Sequence, residues 1–408
     1  MRILFLSDNF PPEVNAPATR LFEHAIHWVQ AGHSVTVITT APNFPEGKVY
    51  SGYRNRWWTV EVMQGIRVVR VKTWIAANEG FLARTMDYLS FMVAGFGAGL
   101  FERSPDVILA TSPQFFCAVG GWALAAVRRR PFVMEIRDLW PDSIIAVGAM
   151  RRSFVIRFLE KVEHFLYRRA RAIISVTESF RTELIRRGVP EGKIHVVLNG
   201  ADLSRYRPQP RDRAMIHEFG LEDRFLVGYI GTLGMAHALT RVLEAAELLK
   251  TEDPIRFFFA GAGAEQSRLA DLIREKALAN VRLIPRQPKE RMPALWSLCD
   301  LAIIPLRNHP LFATVIPSKL FEAMAMGVPV LMSLPEGEAT SLVCATGAGE
   351  CVPPEDPLQM SVRIQALAGD PERLERMRKQ GLAAAPCYSR ETQALKMLGI
   401  LERIVVRS

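Results

Sequence analysis

Short runs that are apolar on both faces recur along the chain, separated by stretches whose apolar positions repeat with helical spacing. From the N-terminus they read RILFLS, SVTVITT, RVVRVK, DVILAT, FVMEIRD, AIISVT and IHVVLN. After a break they resume as FLVGYIG, IRFFFAG, VRLIPR, LAIIPL and PVLMS. A strand buried on both sides carries such a run without alternation, and strands alternating with helices build parallel sheets. Helices are predicted between the runs, as over Thr240–Lys250 and Glu265–Ala279. The break falls at NGADLSRYRPQP (Asn199 to Pro210), where glycine and proline interrupt the pattern. Two doubly wound α/β domains are therefore expected at 1–198 and 213–385, with a linker at 199–212. A closing helix over 386–408 is expected to pack back on the N-terminal domain. Ligands of open parallel sheets bind beyond the carboxyl ends of the strands, so two facing sheets would hold their chemistry in an interdomain cleft.

A length of 408 residues suits two cores, and 49% hydrophobic residues suffice to fill them. The opening MRILFLSDNF has too short an apolar run for a signal peptide and reads as a first buried strand. Val107 to Val127 is uncharged, but Pro113 and Gly120-Gly121 interrupt it, so a strand and a buried helix are expected rather than a membrane span. Five cysteines stand singly, without metal-ligand spacing, which fits a reducing cytosol and argues against a disulfide scaffold or zinc site. Nearly all of the net charge of +9 falls in the first 198 residues. Such a basic half suits an anionic membrane or nucleic acid. The basic stretch Met150 to Ala172 carries no nucleic-acid motif or stacking platform, so no nucleic-acid partner is expected. Together with the greasy stretch Phe81 to Phe101 it is open to two readings, an interfacial membrane surface or ordinary core packing.

Candidate chemistry gathers at strand ends. In TVIPSKLFEAMAMGVPVL (Thr314 to Leu331), Pro317 and Ser318 suit a helix start, with serine as cap, and Gly327 suits its stop. The amides and dipole at Ser318, with Lys319 in the first turn, suit a phosphate. Glu322, hemmed by Leu320, Phe321, Ala323 and Met324, needs hydrogen-bond donors if it is ionised, and a ribose diol supplies two. The plain alternative is a Lys319–Glu322 surface pair. AGAGAE (Ala260 to Glu265) follows a strand, but Gln266 stands where a dinucleotide fingerprint has its third glycine. Gly261 and Gly263 serve either a nucleotide or a tight turn. MEIRDLWPDS sets Arg137 and Asp138 at a strand end, with Asp142 a turn later.

These motifs resemble those of the family 4 glycosyltransferases. PSKLFEAMAMGVPVL is similar to the family's C-terminal signature, and FPPEVNAPATRLFEHAIHWVQAGHSVTVIT to its N-terminal loop and helix. NGADLSRYRP resembles its linker; GYIGTLGMAHALTRVLEAAELL and FFFAGAGAE resemble its donor-domain opening and second glycine turn. EIRDLWPDS and VIPSKLFEAMAMG resemble the bacterial branch of L-fucosamine-transferase and colanic-acid type. The resemblance implies the GT-B fold, two facing Rossmann-like domains, and retaining transfer from a nucleotide sugar without a metal ion or other cofactor.

Residue by residue, the resemblance makes Glu322 the ribose ligand and puts Thr314 where the family has its first glutamate. Gly231, Thr232, Gly234 and His237 fall in the donor-domain opening, with Thr232 and His237 at places commonly basic; His237 is expected to donate to a phosphate. Ser318 and Lys319 are expected to hold the diphosphate, and Gly261 and Gly263 to approach the nucleotide. Arg137 stands where the family often has histidine, and Asp138 matches its acid; both are assigned to catalysis. Asn15-Ala16 replace a frequent Gly-Gly at the acceptor loop, and Arg20 is either an acceptor-phosphate contact or a surface partner of Glu23. The expected reaction takes an N-acetylated amino sugar from UDP to a polyprenyl-diphosphate-linked saccharide, at the inner face of a bacterial plasma membrane. A GT-B epimerase and a non-catalytic sugar-nucleotide sensor are the alternatives.

Overall fold

The computed structural model describes residues 1–44, 46–75, 81–112, 115–139, 154–221, 224–251 and 254–407. The chain divides into two compact units, Met1–Leu198 with Arg390–Ser408, and Asn199–Ser389.

In the first unit, the described strands form an eight-stranded sheet ordered β3-β4-β2-β1-β5-β6-β7-β8. They are β1 (Arg2–Leu6), β2 (Ser34–Thr40), β3 (Trp58–Met63), β4 (Ile66–Val71), β5 (Val107–Ser112), β6 (Phe132–Ile136), β7 (Ala172–Ser175) and β8 (Ile194–Val196). β1 pairs in parallel with β2 and with β5, so strand order reverses beside it. The loops after β1 and β5 therefore flank a switch point, where ligand sites of such sheets form. β5 is buried along its whole length, as its run DVILAT requires, and the helix Phe115–Arg128 follows it. Among the described residues no helix is long and apolar enough to cross a membrane.

β3 departs from the sequence expectation. It pairs antiparallel with β4 through the turn Gln64-Gly65, both at positive φ, the geometry of a two-residue hairpin. Its residues alternate between exposed and half-buried, so it lacks the continuous apolar run that marks the other strands.

In the second unit the described strands are β9 (Phe225–Ile230), β10 (Ile255–Ala260), β11 (Val281–Ile284), β12 (Leu301–Pro305), β13 (Val330–Ser333) and β14 (Gly349–Val352). Their order is β11-β10-β9-β12-β13-β14, and every pair is parallel. Order reverses at β9, which puts the loops after β9 and β12 side by side at a second switch point.

The chain crosses between the units at 198–199 and again at 389–390. Ala201 forms a parallel bridge with Ser389, and a methyl on Gly200 would stand 2.4 Å from the Tyr388 carbonyl oxygen, so only glycine fits that approach. The helix Arg390–Val406 completes the first unit's core. Ala394, Met397 and Leu401 pack with Trp28 of the helix Ala16–Gln30, whose indole donates to the Ala394 carbonyl at 2.9 Å. Arg390 adds a buried ion pair to Glu23 at 2.8 Å. Removing residues 390–408 should therefore unfold the first unit while the second keeps its own transition. Thermal unfolding followed by circular dichroism would then lose one of its components; an unchanged first transition would overturn this account of the core.

Candidate functional site

The second unit's switch point is framed by two glycine turns in backbone contact. After β9, Gly231 donates to the Ala260 carbonyl and Leu233 to the Ala262 carbonyl, both at 2.9 Å. After β10, Gly261 donates to Ile284 and Glu265 to Leu233, extending the ladder beyond the strands. A methyl on Gly261 would lie 1.9 Å from the Gly231 oxygen, and one on Gly263 would lie 2.3 Å from the Leu233 oxygen, each at a φ that disfavours other residues. The close approach that demands glycine here is backbone against backbone. The Tyr229 hydroxyl fixes the β9 turn by donating to the Thr232 carbonyl at 2.6 Å. Arg307, beyond β12, donates its amide to Ala236 in the same turn, which ties the two switch-point loops together.

Opposite these turns lies the N-terminus of the helix Ser318–Met326. The serine does not cap it: Pro317 takes the cap position and no side chain caps the end, so Ser318 is the first helical residue. Leu320 bonds back to the Pro317 carbonyl, while the Ser318 and Lys319 amides precede the first intrahelical acceptor. Gly327 ends the helix in the left-handed conformation, as its position in the sequence suggests.

Lys319 is not a surface partner of Glu322. Its Nζ is buried without a hydrogen-bond partner, 3.8 Å from the centroid of the Tyr229 ring and close beside Gly231. Burial drives its pKa down from 10.5 to about 7, against the weaker upward pull of Glu322. Glu322 is held by the Trp296 indole, which donates to Oε2 at 3.1 Å. A carboxylate can accept several bonds, and the indole supplies one of them.

His237 also faces Tyr229, with ring centroids 5.7 Å apart. Burial and then the Lys319 charge drive its pKa from 6.5 to about 3, and a hydrogen bond with the Pro305 backbone offsets little of this. Its Nδ1 is buried without a partner. With the proton on the nitrogen that faces the Pro305 carbonyl, Nδ1 is a bare acceptor. In place of the expected donor to a phosphate, the neutral ring offers an acceptor at Nδ1. Thr314 closes the 3₁₀ turn Pro310–Thr314, its hydroxyl donating to the Leu311 carbonyl at 2.8 Å. Gly234 precedes the turn that carries His237, and Thr232 is exposed at its start.

In the first unit, Asn15 caps the helix Ala16–Gln30 by accepting from the Ala18 amide at 2.9 Å, and its own amide donates to Asn9. Ala16 is that helix's first residue. Arg20 meets neither expectation. It is buried, with Nε 2.9 Å from Glu135 Oε1 and the other nitrogens on the Val197 and Leu198 carbonyls, while Glu23 pairs with Arg390. Its guanidinium is engaged inside the fold by Glu135 and these carbonyls. Arg137 bonds to the Ser112 carbonyl at 3.3 Å and lies 3.9 Å from Glu135. Arg20 and Arg137 outweigh the burial that pushes Glu135 up and hold its carboxyl below the ordinary range. The Asp138 carbonyl accepts from Ser112 Oγ at the end of β6. Asp142 lies outside the described residues.

Two family descriptions match, "Glycosyl transferase 4-like domain" over residues 15–200 and "Glycosyl transferases group 1" over 212–383. The chain belongs to the family 4 glycosyltransferases. The Escherichia coli (strain K12) protein WcaI, named as a colanic acid biosynthesis glycosyl transferase, is 26% identical over 87% of this chain and 89% of its own length. Among solved structures, sucrose-phosphate synthase from Thermosynechococcus elongatus overlays with a TM-score of 0.80 at 18% identity, over 100% of both chains. Anabaena HepE, solved in complex with UDP and glucose, gives 0.73 at 20% identity, over 98% of this chain and 99% of its own. The fold of this glycosyltransferase is thus GT-B, two Rossmann-like halves.

Two residues of the glycosyltransferase's second unit escape sequence reasoning. Tyr229 sits inside an apolar strand, where it reads as core, yet it is the platform under Lys319 and His237. Trp296 lies in a short helix without a motif. Proximity to Gly231 is the one signal that marks Tyr229.

A buried ammonium without a hydrogen-bond partner opposes folding, so Lys319→Met should raise the Tm of the unliganded enzyme by several degrees. Between about pH 7 and 10 the unfolded chain keeps a proton that the folded Lys319 has released, so this penalty fades as pH rises. The Tm difference between variant and parent should be largest below pH 7 and shrink toward pH 9. Equal Tm values at pH 6 would contradict the buried charge.

Proposed function

We propose that this glycosyltransferase binds a UDP-sugar on its second unit and transfers the sugar, with retention, to a lipid-linked saccharide in the synthesis of a bacterial surface polysaccharide. The observation that carries the reading is the unpartnered Lys319 ammonium at a helix N-terminus, one turn from the Glu322 carboxylate. A cation with free amides is complementary to a diphosphate, and an acceptor-only carboxylate is complementary to a ribose diol. A nucleoside diphosphate presents both at that spacing. UDP is favoured by analogy with HepE, and polysaccharide synthesis by the name of WcaI.

In this reading, Lys319 and the Ser318 and Lys319 amides stabilise the negative charge that grows on the departing diphosphate. The neutral His237 accepts from a hydroxyl of the donor. Asp138 and Arg137 orient the sugar, and the acceptor hydroxyl attacks from the face the nucleotide leaves. An N-acetylated amino sugar is the proposed cargo, no metal ion is invoked, and the enzyme works peripherally at the inner face of the plasma membrane.

Titration calorimetry with UDP, GDP, ADP and inorganic pyrophosphate tests the donor site. UDP should bind most tightly. Lys319→Met should lose about 10- to 100-fold in affinity for both UDP and pyrophosphate, as expected for one charge-assisted bond. Glu322→Ala should weaken UDP and leave pyrophosphate unchanged. Affinity for UDP should fall by up to about tenfold per unit as pH rises above 7, because the ammonium is the binding form. Binding unaffected by either variant would sink the assignment.

A further inference from the structure

The first unit carries an apolar surface at its β3 edge that no described residue covers. Trp58, Val60 and Val62 alternate onto one face of this edge strand, and Val62 is 71% exposed. Trp57, just before it, is 79% exposed, and Trp74 beyond β4 is exposed as well. At one corner the Trp58 ring meets Phe101 edge-on, with centroids 6.2 Å apart. Phe101, 82% exposed, ends the helix Phe81–Phe101, along which Met86, Val93 and Leu100 recur at seven-residue spacing as one exposed stripe. From Tyr88 to Phe101 that helix contains no charged residue.

This corner is built rather than frayed. Arg128 donates to the Gly99, Leu100 and Glu102 carbonyls at the helix end, and Arg67 forms a two-pronged pair with Glu102. Single exposed apolar residues are ordinary, but a contiguous face held this firmly implies an occupant.

Charge decides which occupant. The acids near the corner are each engaged by an arginine: Glu61 by Arg70, Glu102 by Arg67 and Asp106 by Arg2. Lys72 lies 4.6 Å over the Trp57 ring, and Arg54 and Arg56 line a shallow pocket with Tyr53 and Val60. Exposed tryptophans beside a surplus of cations match the interface of an anionic bilayer, where indoles sit at headgroup depth and cations meet phosphate. An unpaired edge strand facing lipid headgroups is also kept from pairing with other chains.

We infer that the face formed by β3 and the helix Phe81–Phe101 docks on an anionic lipid bilayer, with Trp57, Trp58 and Phe101 as anchors and Arg54, Arg56 and Lys72 reading the headgroups. The inference rests on the membrane reading proposed above, while the surface is separate from the donor site, so its failure would leave nucleotide binding untouched.

Co-sedimentation of the full chain with vesicles of phosphatidylglycerol and phosphatidylcholine, against phosphatidylcholine alone, is the test. Binding should require the anionic lipid, weaken with added salt, and blue-shift the tryptophan emission. Val62→Glu with Phe101→Glu, and separately Arg54→Ala with Arg56→Ala, should each lower vesicle affinity by about tenfold or more while UDP binding is unchanged. Undiminished binding by the Glu variant would overturn the inference. So would a wild type that ignores vesicles but forms a dimer in sedimentation velocity that the Glu variant abolishes, since the face would then be a protein interface.

Discussion

An ammonium ion over an aromatic ring, enclosed and without a hydrogen-bond partner, is the interaction around which the second unit's switch point is arranged. A cation–π contact recovers part of the hydration that Lys319 gives up, and burial still depresses its pKa. The neighbourhood keeps the charge poised. Tyr229 is fixed by its bond to Thr232, the Gly231 turn closes over Nζ, and the helix start adds more positive potential rather than less. His237 is kept neutral by the same enclosure, so one compact space holds a donor-only group and an acceptor-only group side by side. Such polarity is costly to keep and suits a ligand carrying both anionic and hydroxyl functions.

The frame beneath is backbone. The β9 and β10 turns lie so close that side chains are excluded at Gly261 and Gly263, and the hydrogen bonds there prolong the sheet into the loops. Loops built this way hold their geometry without relying on side-chain packing, so the residues around them are at liberty to carry chemistry. The first unit treats its buried charges differently. Arg20 with Glu135, and Arg390 with Glu23, form buried ion pairs whose burial serves the fold.

Much of this was legible in the sequence. Uninterrupted apolar runs marked the central strands because a parallel sheet buries both faces, and the Pro-Ser start and Gly327 stop located the key helix. The edge strand β3 was missed because its alternation is that of a half-solvated surface. Arg20 was misread because a charged residue on an amphipathic helix looks exposed until a distant carboxylate, Glu135, arrives to meet it. The tautomer of His237 and the platform role of Tyr229 depend on contacts with Pro305 and Lys319, far along the chain, and no local pattern encodes them.

The first unit's dependence on the helix Arg390–Val406 has a consequence for biosynthesis. When Leu198 leaves the ribosome, the Trp28 face has its sheet but not its covering helix, and the indole's acceptor on Ala394 has not yet been made. Synthesis of the intervening unit takes on the order of ten to forty seconds at about 5–20 residues per second. For that interval the nascent chain displays an apolar strip and a Glu23 carboxylate still lacking Arg390, a natural target for chaperones that hold unfinished domains. The unit that begins the chain is thus the one completed last.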